Sequence, residues 1–283
     1  MKIFLTGASG ILGTDIFSQL QNNNDEVLGF SSANIDITNA NDVRKKIYDF
    51  NPEIIIHAAA MTNVDFCEDD KNAAYQINVD ATKNIAMCAK ALDVPIIYIS
   101  SCGVYGNGKQ IPYNENDKTE PVNYHHFTKL EGEKKVKEQT SKHVIVRPGW
   151  LFGGSKTHKK NFVEARRKEA LANPVMQSAS DKFGSPTYTF DLAKQIIKLM
   201  KANVYGTFNI VNKGSASRFD YVSAIIKAFN FTNEIIPVDS NSFPRKANMP
   251  DNEMLENQHL NLIGMDEMPS WKDALNDYIK STY

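Results

Sequence analysis

"KIFLTGASGILG", residues 2–13, decides the fold. Its first half is a short apolar run without polar alternation, the pattern of a strand buried on both faces. Its second half spaces Gly7, Gly10 and Gly13 three apart and passes straight into a helical pattern over 11–22. A turn this tight needs residues without a Cβ, and a bare backbone lets a pyrophosphate reach the N–H groups that open a helix. The third glycine allows the helix to pack close against the sheet. The spacing is GxxGxxG, a variant of the dinucleotide-binding GxGxxG fingerprint.

Outward from this turn the same grammar repeats. "DEVLGF" (25–30), "PEIIIHAA" (52–59), "VPIIYISS" (94–101) and "KHVIVRP" (142–148) read as further buried strands, with helices at 39–49, 72–92 and 123–139. Asn39 or Asn41 is placed to cap the first of these helices, and Pro95 follows the second. Strand–helix–strand alternation predicts a Rossmann-like, doubly wound parallel sheet with right-handed crossovers. After Pro148 the pattern loosens into helices at 159–172, 188–202, 217–229 and 270–281, with strands near 174–177, 206–211 and 234–238. The division expected is a cofactor domain over 1–150, with 186–212 returning to it, and a smaller α/β substrate lobe from 151–185 and 213–283. The stretch 239–268 lacks periodicity and reads as an ordered wrap or a mobile lid.

Composition narrows the function. The 283 residues are 42% hydrophobic and 23% charged, with a net charge of −1, so no bulk charge recruits nucleic acid or an anionic membrane. No stretch approaches the ~20 apolar residues of a membrane span, and Ile3-Phe4-Leu5 is too short for a signal peptide. Cys67, Cys88 and Cys102 suit neither a disulfide framework nor a zinc site. The reading is a cytoplasmic, metal-free protein. At the end of the second strand, Phe30-Ser31-Ser32 offers no carboxylate to a ribose 2′-hydroxyl and no cation to a 2′-phosphate. NADPH is favoured over NADH, which stays open. Asp36 and Ile37 of "NIDIT" are placed to meet the adenine, and Ala58, Ala59 and Ala60 leave room for the cofactor.

Taken together, "LTGASGILG", "IDITNANDV", "PEIIIHAAAMTNVDFCE", "INVDATKNIA", "YISSCGVYG", "VNYHHFTKLEGE", "VRPGWLFG", "DKFGSPTYTFDLA", "GTFNIVNKG" and "PSWKDAL" run in order along nearly the whole chain. In this the chain resembles the extended short-chain dehydrogenase/reductases, and among them the dTDP-4-dehydrorhamnose reductase group. The resemblance implies cofactor contacts at Gly7, Ser9, Gly10, Ile11, Leu12, Gly13, Ser31 and Lys129. It implies hydride transfer to a nucleotide-linked 4-keto-6-deoxy sugar beneath the C-terminal lobe, with Ser101 as the hydroxyl residue and Lys129 on the nicotinamide ribose. Cys102, Gly103 and Trp150 fall where the group lines its sugar pocket. A homodimer or a partner enzyme is possible within this group, one of whose members is the regulatory β subunit of methionine adenosyltransferase.

Two departures bear on activity. The group's pattern before the lysine is Pro-x-Asn-x-Tyr-Gly-x-Ser/Thr-Lys, and here Pro121, Asn123, Thr128 and Lys129 keep register while His125 stands at the tyrosine position. Tyr124 is one residue early, and one helical step turns a side chain by ~100°, away from a face shared by His125 and Lys129. His125 reads as a catalytic imidazolium, a binding residue or a relic, and His126 as an ordinary histidine. The second departure is Cys102-Gly103 in place of Asp-Tyr, a small pair expected to enlarge the pocket. The leading expectation is an NAD(P)H-dependent keto-sugar reductase with Ser101, His125 and Lys129 at its centre. The alternatives are a non-catalytic or regulatory binding protein and a sugar-nucleotide epimerase or dehydratase.

Overall fold

The computed structural model describes residues 1–283. The first half runs β1 (Lys2–Thr6), α1 (Ile11–Asn22), β2 (Glu26–Phe30), α2 (Ala40–Phe50), β3 (Ile54–His57), α3 (Val64–Asp69), α4 (Lys71–Tyr75), α5 (Ala81–Leu92), β4 (Ile96–Ile99), α6 (Tyr124–Gln139) and β5 (His143–Pro148). The second half begins with β6 (Trp150–Phe152), α7 (Phe162–Ala172), β7 (Val175–Ala179), β8 (Phe183–Gly184), β9 (Pro186–Tyr188), α8 (Thr189–Lys201) and β10 (Gly206–Ile210). It ends with β11 (Ala216–Ser217), α9 (Arg218–Ala228), β12 (Glu234–Val238), β13 (Asn252–Glu253), α10 (Gln258–Leu262) and α11 (Trp271–Thr282).

Six strands form one parallel sheet in the order β10-β5-β4-β3-β1-β2. The order reverses between β1 and β3, and in open α/β sheets a ligand crevice opens beyond the carboxyl ends of the strands at such a switch point. Both faces are buried, as the unalternating strands require. Ile3, Leu5, Ile56 and Ile97 face a layer that includes α1 and α8, and Phe4, Ile55, Ile96 and Tyr98 face a layer that includes α2 and α5. β10 completes the sheet from the second half of the chain, pairing with β5. A separate cluster joins Phe152, Tyr221, Trp271 and Tyr278 of the second half to Val104, Tyr105 and Tyr113 of the first.

The helices start and stop where their caps dictate. Asn39 accepts from the Asp42 N–H to open α2, and Asn51 closes it in the left-handed region. Asn123 does the same for α6, accepting from the His126 N–H at 2.9 Å. The single helix expected over 72–92 is instead α4, a π-turn at Gln76–Asp80, and α5. The reason is Asn78, which is fully buried and turned inward. Its side chain accepts from Met61 N and donates to Met61 O and Thr128 Oγ1, and the wider turn re-aims it. The short helix α3 and the two- and three-residue strands of the second half lie below what periodicity can signal.

Residues 239–268 are an ordered wrap. Asn252 and Glu253 pair with β8, Tyr113 bridges to Leu255, and the Ala247 N–H donates to Asp65 Oδ1 at 2.9 Å. No helix is long and apolar enough to cross a membrane.

Candidate active site

The glycine turn is built for close approach. Gly7 has φ +75°, and a Cβ on it would lie 2.6 Å from Ala59 N and 2.7 Å from the Ala58 carbonyl carbon. A Cβ on Gly13 would lie 2.0 Å from Gly7 O. The turn, the small residues Ala58–Ala60 and the start of α1 therefore meet with no side chain between them. Gly10 caps α1 without any side-chain acceptor, so the N–H groups of its first turn, which have no intrahelical partner, stay available to an anion. This donor set fits a dinucleotide pyrophosphate. Beyond β2, Ser31 forms a local turn with Asn34, and the exposed Asp36 carboxylate accepts from Thr38 N and Oγ1.

Helix α6 presents His125, Lys129 and Glu133 at intervals of four, on one buried face. Glu133 grips Arg147 of β5 through two bonds, Nε to Oε1 at 2.8 Å and Nη2 to Oε2 at 2.6 Å, and also accepts from Ser100 Oγ. Arg147 in turn donates to Tyr105 Oη at 2.8 Å. Lys129 is 3% exposed, and its Nζ lies 4.2 Å from the centre of the Tyr98 ring. Burial lowers its pKa to about 7, against the opposing pull of Glu133. Tyr124 points elsewhere, its ring against Phe127 with Lys71 above it.

His125 is also buried, with Nδ1 3.9 Å from Cys67 Sγ and its ring 5.2 Å from that of His126. Burial, then His126 and Lys129, push its pKa down to about 3. The imidazolium considered from the sequence is therefore not the form this pocket holds. A neutral ring remains, able to donate one hydrogen bond. Cys67, beside an acidic run, is itself buried, its thiol pushed up to about 11 chiefly by desolvation. Of that run, Glu68 accepts from the Tyr124 N–H and Asp70 caps α4.

The second departure reads differently in three dimensions. Cys102 and Gly103 do not open a void, because the His126 imidazole fills it. A Cβ on Gly103 would lie 2.0–2.3 Å from three atoms of that ring. Ser101, two residues past β4, accepts from the Gly103 N–H at 3.3 Å. Cys102 is a satisfied buried thiol donating to Glu253 Oε1 at 3.5 Å, and desolvation followed by Glu253 keeps it protonated. Trp150 Nε1 donates to the other oxygen of Glu253 at 2.8 Å, while Arg218 stacks on the Trp150 indole at 3.4 Å. Asn78, His126 and Glu253 escaped the sequence reading. Glu253 lies in the unpatterned wrap, and the only signal for His126 was the glycine that faces it.

Comparison with known proteins places these features in a lineage. The family model described as RmlD substrate binding domain matches residues 1–283. A dTDP-4-dehydrorhamnose reductase of Mycolicibacterium smegmatis is 32% identical over 98% of this chain and 85% of its own length. The crystal structure of a dTDP-4-dehydrorhamnose reductase from Bacillus anthracis in complex with NADP superposes with a TM-score of 0.95, at 32% identity and 99% of both chains. Methionine adenosyltransferase 2 subunit beta of Bos taurus is 29% identical over 98% of this chain and 86% of its own length.

Proposed function

We propose, on the premise that this chain belongs to the RmlD substrate binding domain family, that it is an NAD(P)H-dependent reductase of a dTDP-linked 4-keto-6-deoxy sugar. The observation that carries this reading is the buried α6 face, which sets His125 and Lys129 one turn apart and, one turn further, pairs Glu133 with Arg147.

A bound reduced nicotinamide supplies a hydride to the sugar carbonyl carbon. The chain's own residues do the rest. Gly7, Ser9, Gly10, Ile11, Leu12 and Gly13 receive the pyrophosphate on backbone N–H groups, and Ala58–Ala60 flank it. Ser31 and Asp36 with Ile37 face the adenosine end. Lys129, charged once it has an oxygen partner, holds the nicotinamide ribose. Ser101 and the neutral His125 donate to the carbonyl oxygen and stabilise the negative charge that develops there, as a neutral imidazole can. The oxygen then takes its proton through these hydroxyl and imidazole groups from solvent. Trp150, Cys102 and Gly103 line the sugar side of the cleft. NADPH is the preferred coenzyme, supported by the absence of a carboxylate at Ser31-Ser32 and by the relative solved with NADP.

In domain terms, 1–150 with 186–212 carries the cofactor, and 151–185 with 213–283 carries the sugar nucleotide. The protein works in the cytoplasm. Histidine at position 125 also favours a second reading, a regulatory subunit that binds cofactor without turnover, as the likeness to a methionine adenosyltransferase subunit illustrates.

The two readings part on one assay. Purified protein is given NADPH or NADH with a panel of dTDP-4-keto-6-deoxy sugars, and loss of reduced nicotinamide is followed. Sugar-dependent oxidation supports the reductase. Tight cofactor binding without turnover on any sugar supports the regulatory reading.

A further inference from the structure

Arg218, the residue that opens α9, carries a guanidinium whose nearby carboxylates are all engaged elsewhere. Asp220, two residues on, is spent on the helix cap: its Oδ2 accepts from Ser217 N and Oγ, and Ser217 Oγ accepts from the Asp220 N–H. Glu253, whose charge reaches Arg218 through space, is taken as well. One of its oxygens receives Trp150 Nε1 and the other Cys102 Sγ. The contacts of the guanidinium are aromatic instead, 3.4 Å from the centre of the Trp150 ring and 5.5 Å from that of Phe162. Its N–H donors have no acceptor within the chain.

Of this cluster, Arg218 is the member that solvent reaches. Cys102, Trp150 and Glu253 are buried, whereas Arg218 is half-buried. Gly184 packs so close that a Cβ on it would lie 2.2 Å from the Trp150 ring, and Arg218 covers that ring as well. A ligand arriving here meets the guanidinium before it meets the indole. A second cation without an ion-pair partner lies within electrostatic range, the exposed Arg245 of the wrap. Burial draws the Arg218 pKa down to about 10, with Glu253 opposing and Arg245 adding to the fall, so Arg218 is charged at neutral pH. Two like charges without counter-ions repel, and an anion beside them removes that cost.

A dTDP-sugar of the proposed kind carries its charge in one place, the diphosphate, while its base, sugar ring and keto group are neutral. A guanidinium matches phosphate oxygens through paired N–H bonds, and its weak hydration suits a half-buried site. Resting on the reductase reading and deepening it, we propose that Arg218, braced on a Trp150 that Glu253 holds, binds the diphosphate of the sugar nucleotide. The sugar then lies between Arg218 and Ser101, whose chain neighbour Cys102 belongs to the same cluster.

The test is calorimetry on the full chain, saturated with NADP so that the cofactor groove is filled, with dTDP and thymidine as probes. The wild type should bind dTDP about tenfold or more tighter than thymidine. Arg218→Met should lose about tenfold or more on dTDP while its affinities for thymidine and NADP stay within about twofold of wild type. Arg218→Lys, which keeps the charge without the fork, should recover part of that loss. Equal affinity of the wild type for dTDP and thymidine, a result that needs no variant, overturns the proposal. So does an Arg218→Met protein that binds NADP normally and keeps its dTDP affinity, the outcome expected if the guanidinium serves an acidic group on the sugar or only shields Trp150. Neither measurement needs turnover, and wild-type hydride transfer tests the reductase reading by itself, so the two fail separately.

Discussion

At the scale of single residues, His125 and Lys129 are both defined by burial. Burial keeps the His125 imidazole neutral, so in the proposed reaction it would act as a hydrogen-bond donor to developing charge, and such contacts are commonly worth 10²–10³ in rate. His125→Ala should therefore lower kcat about a hundredfold at saturating sugar. A kcat within threefold of wild type would reduce His125 to a spacer. Lys129 makes a prediction about stability. Its folded pKa of about 7 lies below its ordinary 10.5, so between those pH values the unfolded chain binds more protons and stability rises with pH. Below about pH 7 the penalty is complete, ~5 kcal/mol at ~1.4 kcal/mol for each tenfold in proton affinity. Cofactor-free Lys129→Met should melt several degrees above wild type at pH 7, and the gap should narrow toward pH 10. A lower melting temperature for the variant at pH 7 would show that the lysine is already paired.

Among elements, α6 was legible in the sequence and its surroundings were not. The register from Pro121 and Asn123 to Lys129 located the helix, its cap and the face shared by His125 and Lys129, and it ruled out Tyr124. What it could not show was the lock, because Glu133 and Arg147 are 14 residues apart and meet only when α6 folds back on β5. Breaking one partner of a buried ion pair leaves the other charge uncompensated. Glu133→Ala should cost about 3–5 kcal/mol in denaturant unfolding, and loss of the Glu133 charge should push the Lys129 pKa lower still. A loss below about 1 kcal/mol would mean that Arg147 finds water. The same limit explains the misread at Cys102-Gly103. Small residues in sequence suggested a void, whereas the ring filling it arrives from His126, more than twenty residues along the chain. The π-turn at Gln76–Asp80 was equally hidden, since Asn78 is drawn inward by Met61 and Thr128 rather than by any local preference.

In the whole molecule, strand and helix alternation carried the fold from the first thirteen residues outward, because a doubly buried parallel sheet writes its pattern directly into the chain. The second half wrote less of itself. The wrap over 239–268 is tied to α3 by the Ala247 N–H donating to Asp65 and by the Lys246–Asp69 pair, contacts between segments far apart in the chain. Within the same wrap Glu253 accepts from Trp150 Nε1. The proposed reaction is the transfer of a hydride onto a sugar carbonyl. It is tested most directly with NADPH carrying deuterium at the transferable position of the nicotinamide, incubated with protein and dTDP-4-keto-6-deoxy sugar, followed by mass spectrometry of the product. Deuterium at the former keto carbon, matched to oxidised cofactor, is the result expected. Sugar that stays unlabelled while the protein binds the cofactor would contradict it.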